Sequence, residues 1–346
     1  MPQASPASPT SSGRLAALFQ RAGLDWFFFG LMAVVLLAYL APGIGSKSSP
    51  VPWGPITTAG VAVIFFLYGL RLSPDKLKAG LRNWRLHALV QLTTFGVFPL
   101  LALAVRPWFA GADNEALWAS IFYLCVLPST VSTSVVMVSI AGGNLPGAIF
   151  NASVSSLLGI VLTPLWVSVV LHTGGSGQLG GLVLDLCLQV LLPVVLGVLL
   201  HRRFGAWAEQ HKAGLRVFDQ SIILLLVYSS FCESFEQGVF RGYDAGTLGL
   251  LALGMVALFA VVYAVIILSS RLLGFSAEDQ ITALFCGSKK SLVHGTVMAR
   301  LLFAGTAATG VLLLPTMLYH ALQILLASVI AQAIGRRQAA AAARAA

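Results

Sequence analysis

The chain has 346 residues, 58% of them hydrophobic and 10% charged, with a formal net charge of +9. Soluble domains carry about 25% charged residues, so a soluble globular fold is excluded, and a mean hydropathy of +0.88 places the chain among integral membrane proteins. The basic excess needs no nucleic-acid partner: Lys and Arg of a polytopic membrane protein collect in its cytoplasmic loops, and no basic-aromatic recognition motif is present.

Residues 1–24, rich in Ser, Pro and Ala, read as a disordered N-terminal tail without the order of a signal peptide. A membrane-spanning helix needs about 20 mainly apolar residues. On that measure ten spans are predicted, near 26–44, 53–70, 86–105, 116–140, 145–171, 180–200, 217–235, 246–270, 278–303 and 306–334. The fourth–fifth and ninth–tenth junctions are tight, which leaves nine spans as the alternative count. Residues 335–346 form an Ala-rich C-terminal tail, structureless or weakly helical.

The loops test this count. With both termini inside, the inner segments hold fifteen of the 21 Lys and Arg, and the outer ones hold four: Lys47, Arg106, Arg241 and Arg300. That bias supports an even number of spans and cytoplasmic termini. A multi-pass protein of the bacterial inner membrane is expected.

Lys289 and Lys290 belong to neither set. They lie in GSKKS, residues 287–291, within the ninth span. The fourth span is interrupted in a similar way by PSTVSTS, residues 128–134, a proline followed by Ser129, Thr130, Ser132, Thr133 and Ser134. The two interruptions are about 160 residues apart, as are the centres of spans one and six. This spacing predicts two five-span repeats, about 25–172 and 178–334, within a transmembrane domain of residues 25–334. Five is odd, so the second repeat enters the membrane inverted, and polar breaks at matching positions mark a binding site. A broken helix frees backbone groups that lipid cannot satisfy, so such breaks survive only against protein or a water-filled cavity. The two segments are therefore expected to meet. The alternative for PSTVSTS alone is a kinked helix whose hydroxyls bond back to the preceding turn or join neighbouring helices.

A lysine at a helix centre costs about 2.5–3.5 kcal/mol on insertion scales. Lys289 and Lys290, with Ser288 and Ser291, are thus candidate binding residues; the alternative is that one lysine pairs with Asp185 or Glu233, two of the few acids available. Asn151 and Ser155 in span five, and Gln91 and Thr94 in span three, are candidates for the same cavity. His294 is either a proton relay or a core histidine, and His320 and Gln323 are weaker candidates. SAED, residues 276–279, is a helix N-cap with acids in the first turn. Cys125, Cys187, Cys232 and Cys286 make no CxxC and read as small core residues. No metal site is expected, and no GxSxG, HExxH, Walker A or paired-carboxylate motif supports an enzyme.

Four segments carry a family likeness: FFLYGLRLSPDKLKAGL from Phe65, VLPSTVSTSVVMVSIAGGN from Val126, NASVSSLLGIVLTP from Asn151 and FCGSKKSLVHGTVMARLLF from Phe285. Together they resemble the bile acid–sodium symporter family, in its SBF-like branch, over residues 26–334. The resemblance implies an all-α fold of ten transmembrane helices in two inverted five-helix repeats, a panel domain against a core domain, and broken helices four and nine crossing. It implies a secondary transporter working by alternating access. Bile acid relatives ligate sodium with a glutamate and a glutamine on helix nine. Here those places fall near Phe285 and at Lys289, and Ser134 stands near an asparagine of helix four. No cofactor is expected; sodium stays an open alternative, and the ammonium groups of Lys289 and Lys290 are expected where sodium sits in relatives.

A fixed cation there would draw a small organic anion, and Lys290 is expected to face Ser132–Ser134 or Asn151 and hold that anion. A buried lysine can also load and release a proton, which makes coupling protonic. Two other functions fit the resemblance: a regulatory membrane protein affecting calcium homeostasis, and a cation/proton antiporter, although the latter calls for an acidic pair in the core, where spans four and nine have none. The lipid bilayer is the one further partner expected.

Overall fold

The computed structural model describes residues 26–72, 83–109, 112–171, 188, 191–238, 240, 243–303 and 309–345. The expected N-terminal tail and most of the first half of the sixth span, with Asp185 and Cys187, lie outside them. Every regular element among the described residues is helical.

The chain runs through α1 (Trp26–Leu40) and α2 (Trp53–Arg71), then α3 (Trp84–Phe109). It continues through α4 (Ala112–Val126), α5 (Ser132–Ala141) and α6 (Leu145–Leu171). There follow α7 (Leu192–Gln210), α8 (Lys212–Glu236) and α9 (Ala245–Leu272). The last three are α10 (Ala277–Gly287), α11 (Leu292–Leu302) and α12 (Thr309–Ala345). Among the described residues six helices are long and apolar enough to cross a membrane: α2, α3, α6, α8, α9 and α12 up to Gln338. The expected fourth and ninth spans fall short as single helices because each is split, into α4 with α5 and into α10 with α11. The first is shortened by the Pro42–Gly45 turn that follows Leu40. The last helix runs unbroken through residues 335–345, where alanine, the strongest helix former, dominates.

Cap chemistry sets several boundaries. Asn83 caps α3 by accepting from the Leu86 amide, and Asp244 caps α9 by accepting from Thr247. Ser276 caps α10 by accepting from the Asp279 amide at 3.2 Å, as the SAED pattern predicts. Asp279 does more than lie in a capped turn. Its carboxylate accepts from Asn83 Nδ2 at 2.5 Å and from Asn144 Nδ2 at 2.8 Å, tying the start of α3 and the α5–α6 turn to α10.

Helix α2 packs along α7, and α1 along α8. The first contact is nearly backbone on backbone: a Cβ at Gly69 would lie 2.1 Å from the Val194 carbonyl oxygen, and one at Gly197 2.2 Å from that of Phe66. Glycine is required at such an approach because any side chain would part the helices. Helices α4 and α5 pack on α12, and α10 packs against α5, α6 and α9. The two helix breaks lie within this second group.

Candidate functional site

Buried N–H and C=O groups are almost always paired, so the backbone groups freed by the breaks need partners. The first disturbance is in α3. Residues Thr93–Val97 form a π-helical turn, in which the Phe98 amide bonds Thr93 O instead of Thr94 O. In that register the donor for Thr94 O would be residue 99, which is Pro99 and has no N–H. Thr94 O is left without a helical partner. The Phe95 carbonyl, which faces the same proline in α-helical register, accepts from the indole of Trp166 at 3.0 Å.

Helix α4 stops at Val126, just ahead of Pro128, and leaves a row of carbonyls. Leu124 O accepts from the Leu127 amide at 3.2 Å, and Val126 O from the Thr163 hydroxyl at 2.7 Å. The intervening and following carbonyls, Cys125 O and Leu127 O, both accept from Lys290 Nζ, at 2.6 and 2.8 Å. The same ammonium donates to Thr94 O at 2.8 Å. An ammonium has three N–H donors, and Lys290 spends all three on carbonyls orphaned by two separate helix distortions. Its Nζ also lies 4.1 Å from the centre of the Phe98 ring, at cation–π distance. Lys290 is buried.

The second break is satisfied just as fully. Gln323 reaches back from α12 and pairs with the Lys290 peptide unit, accepting from its N–H and donating to its C=O, both at 2.8 Å. Tyr319, one helical turn before Gln323, donates to Ser288 O at 2.8 Å. The Ser288 hydroxyl bonds back to Leu284 O, and Ser291 caps α11 by accepting from the His294 amide.

The two breaks then join each other. Ser129 Oγ donates to Cys286 O at 2.6 Å, and the Ser291 amide donates to Pro128 O at 2.9 Å. Ser155 Oγ receives the Ser129 amide at 3.0 Å. The structure thus gathers Thr94, Ser129, Ser155, Ser288, Lys290 and Ser291 at one crossing.

Other sequence candidates make no hydrogen bond to either ammonium group among the described residues. Thr130 bonds Thr133 and Ser134 at 2.6 and 3.0 Å, so these hydroxyls satisfy one another; Ser132 opens α5. Asn151 donates to Gly147 O, and Gln91 donates to the Asn151 carbonyl at 3.1 Å. His294 Nδ1 meets Ser291 Oγ at 3.0 Å, and the ring stands edge-on to Phe65 and Tyr68 of α2.

One expectation is corrected. Lys290 lies at the fourth-helix break, but on carbonyls and not on the hydroxyls of Ser132–Ser134 or on Asn151, and its three N–H groups are spent there. Neither lysine makes a salt bridge among the described residues. Lys289 is its counterpart: fully buried, with no hydrogen-bond partner for Nζ among the described residues. His294 Nε2 and Gln91 Oε1 are likewise buried and unpartnered.

Sequence reasoning passed over Tyr319 and ranked Gln323 low, yet these residues close the second break. Their i, i+4 spacing puts both on one face of α12, a signal that was available. Thr163, Trp166 and Phe98 gave none, because each acts through tertiary contact alone.

A family model described as the SBF-like CPA transporter family matches residues 25–336. The chain is 43% identical over 320 residues to the uncharacterized protein PA2026 of Pseudomonas aeruginosa, covering 91% of this chain and 94% of that one. It is 39% identical over 315 residues to the Escherichia coli protein named "Putative symporter YfeH", with 91% and 94% coverage. It is 31% identical over 328 residues to "Sodium/bile acid cotransporter 7-B" of Xenopus laevis, with 92% and 93% coverage. These likenesses, with the apolar helices, support a multi-pass membrane protein that transports a small molecule.

Proposed function

For a chain that belongs to the SBF-like CPA transporter family, we propose secondary active transport of a small organic anion across the bacterial inner membrane, without sodium. Both termini are cytoplasmic, in keeping with the basic bias of the loops. Ten transmembrane segments form two inverted repeats: α1 and α2, and α7 and α8, make up a panel, and the remaining helices make up a core in which the α4–α5 and α10–α11 breaks cross. The packing of α1 on α8 and of α2 on α7 supports that division. Alternating access is the sliding of panel against core, with the crossing kept intact as a rigid unit.

The observation that carries this reading is the Lys290 ammonium on Thr94 O, Cys125 O and Leu127 O. Three convergent carbonyls form a site for a bare cation, and here a covalently attached cation fills it. A coupling ion that binds and leaves has no place there. The carbonyl dipoles are neutralised permanently, so the crossing holds together in every state of the cycle. Lys289 supplies the second charge of the site. Its ammonium has no partner to hold it, and a buried charge without one is costly, so it is the group free to exchange a proton or to meet an anion as the domains move.

The test is uptake of labelled organic anions by proteoliposomes in matched sodium and choline media. Saturable uptake at equal rates in both supports the reading, and a strict, saturable sodium requirement defeats it.

A further inference from the structure

A cavity of about 430 Å³ lies where the α1–α2 loop, the end of α8 and the end of α11 meet. Its size falls in the range of about 300–1,000 Å³ typical of small-molecule sites. On the charge bias of the loops it opens away from the cytoplasm. Among the described residues, three charged ones line it: Lys47, Glu233 and Arg300.

The first two are committed to each other. Lys47 Nζ is 3.7 Å from Glu233 Oε1, and the Lys47 amide donates to Glu233 Oε2 at 3.1 Å. Gln237 Nε2 adds a 2.6 Å bond to Oε1. Both Glu233 oxygens are engaged at the rim. Arg300, part-buried and within electrostatic reach of Glu233, makes no salt bridge among the described residues. Among the described residues it donates only to neutral groups: Nη1 to Thr57 Oγ1 at 3.0 Å, Nε to Ser230 Oγ at 3.4 Å and Nη2 to Leu226 O at 3.5 Å. The last two are long. A guanidinium has five N–H donors, so two remain, and two more are weakly held.

We infer that Arg300 is the anion-recognition residue of this cavity and that the ligand is a singly charged carboxylate with an apolar body. The planar fork of arginine matches a carboxylate in two parallel hydrogen bonds. The three lining charges sum to +1, which one negative charge cancels; a second carboxylate would face Glu233 unpaired. Trp53, Val61, Leu226 and Phe303 give the apolar wall, and the hydroxyls of Thr57 and Ser230 hold the fork in place. This inference rests on the anion-transport reading but assigns recognition to α11, apart from Lys289 and Lys290.

The experiment uses the purified full chain in detergent. Benzoate is titrated calorimetrically, with benzamide and phthalate as its neutral and doubly charged counterparts. Benzoate is expected to bind saturably, benzamide not at all and phthalate more weakly than benzoate. Arg300→Gln should weaken benzoate by at least about thirty-fold, and Arg300→Lys, which keeps charge without the fork, by about ten-fold. Phenylglyoxal labelling of the wild type, read by mass spectrometry, decides the matter even if a variant fails to fold: Arg300 should be modified, and benzoate but not benzamide should protect it. Benzoate binding by Arg300→Gln at wild-type strength, failure of wild type to bind benzoate, or labelling indifferent to benzoate overturns the inference. Loss of benzoate binding only in Lys289→Gln would return recognition to the crossing and leave the transport reading standing. Sodium-dependent uptake would instead strike the transport reading and leave Arg300 in place.

Discussion

Replacing each adjacent lysine by methionine should move stability in opposite directions. Methionine keeps most of the length and removes the charge and the donors. At position 290 the change strands Thr94 O, Cys125 O and Leu127 O, for which no other donor stands among the described residues. A buried acceptor left unpaired costs about 1–3 kcal/mol, so three cost about 3–9 kcal/mol. Against this stands relief of the desolvation of one buried cation, several kcal/mol after relaxation. Because the ammonium has three carbonyls and an aromatic face around it, the balance favours keeping it, and Lys290→Met should lose roughly 2–4 kcal/mol. At position 289 the same substitution removes an ammonium without a hydrogen-bond partner and strands nothing, so Lys289→Met should be neutral or stabilising. Thermal unfolding in detergent reads both. At about 2–4 °C per kcal/mol for a chain of this class, Lys290→Met should melt about 5–15 °C lower than wild type, and Lys289→Met level with it or higher. Equal losses from the two variants, or the larger loss from Lys289→Met, would refute the carbonyl accounting on which the site rests.

Gln323→Leu removes both hydrogen bonds that Gln323 makes to the Lys290 peptide unit and should lower stability by about 2–4 kcal/mol, measured in the same melting assay, with Gln323→Glu recovering at most the half that needs an acceptor. Pro99→Ala returns an N–H in the register that Thr94 O needs; the protein should stay folded by gel filtration while anion uptake falls at least about ten-fold, because Lys290 loses one of its three anchors. Gly197→Leu pushes a side chain into the α2 backbone, where a Cβ alone would be 2.2 Å from the Phe66 oxygen, and should abolish recovery of monodisperse protein.

Much of the fold was legible because hydropathy is a property of segments. The stretches follow from apolar length, and among the described residues six helices are long and apolar enough to cross a membrane. The two breaks were legible as well: a proline with five hydroxyl residues, and two lysines between Gly287 and Leu292, cannot lie in a lipid-facing helix without partners. The identity of those partners was not legible. Lys290 bonds main-chain oxygens, and carbonyls carry no sequence signature. Of its three acceptors only Thr94 could be guessed, through Pro99, and only once the π turn is known. The hydroxyls of PSTVSTS were read as facing the lysine because they are numerous, but Thr130, Thr133 and Ser134 satisfy each other within one turn. That local competition is ordinary for Ser and Thr and is invisible to a count of polar residues. Arg300 stood in the sequence as a topological marker alone, because its cavity is assembled from loops and helix ends far apart in the chain.

The central claim is that the Lys290 ammonium holds the place of a bound cation. It is tested most directly by titrating sodium, at constant ionic strength against choline, while following the melting temperature of wild type and of Lys290→Ala. A ligand that binds only the folded state raises stability in proportion to the logarithm of its occupancy. The account predicts a flat response from wild type, whose carbonyls are filled, and a saturable rise from Lys290→Ala, whose three carbonyls face a vacated space. A saturable rise in wild type, or a flat response from Lys290→Ala, would contradict it.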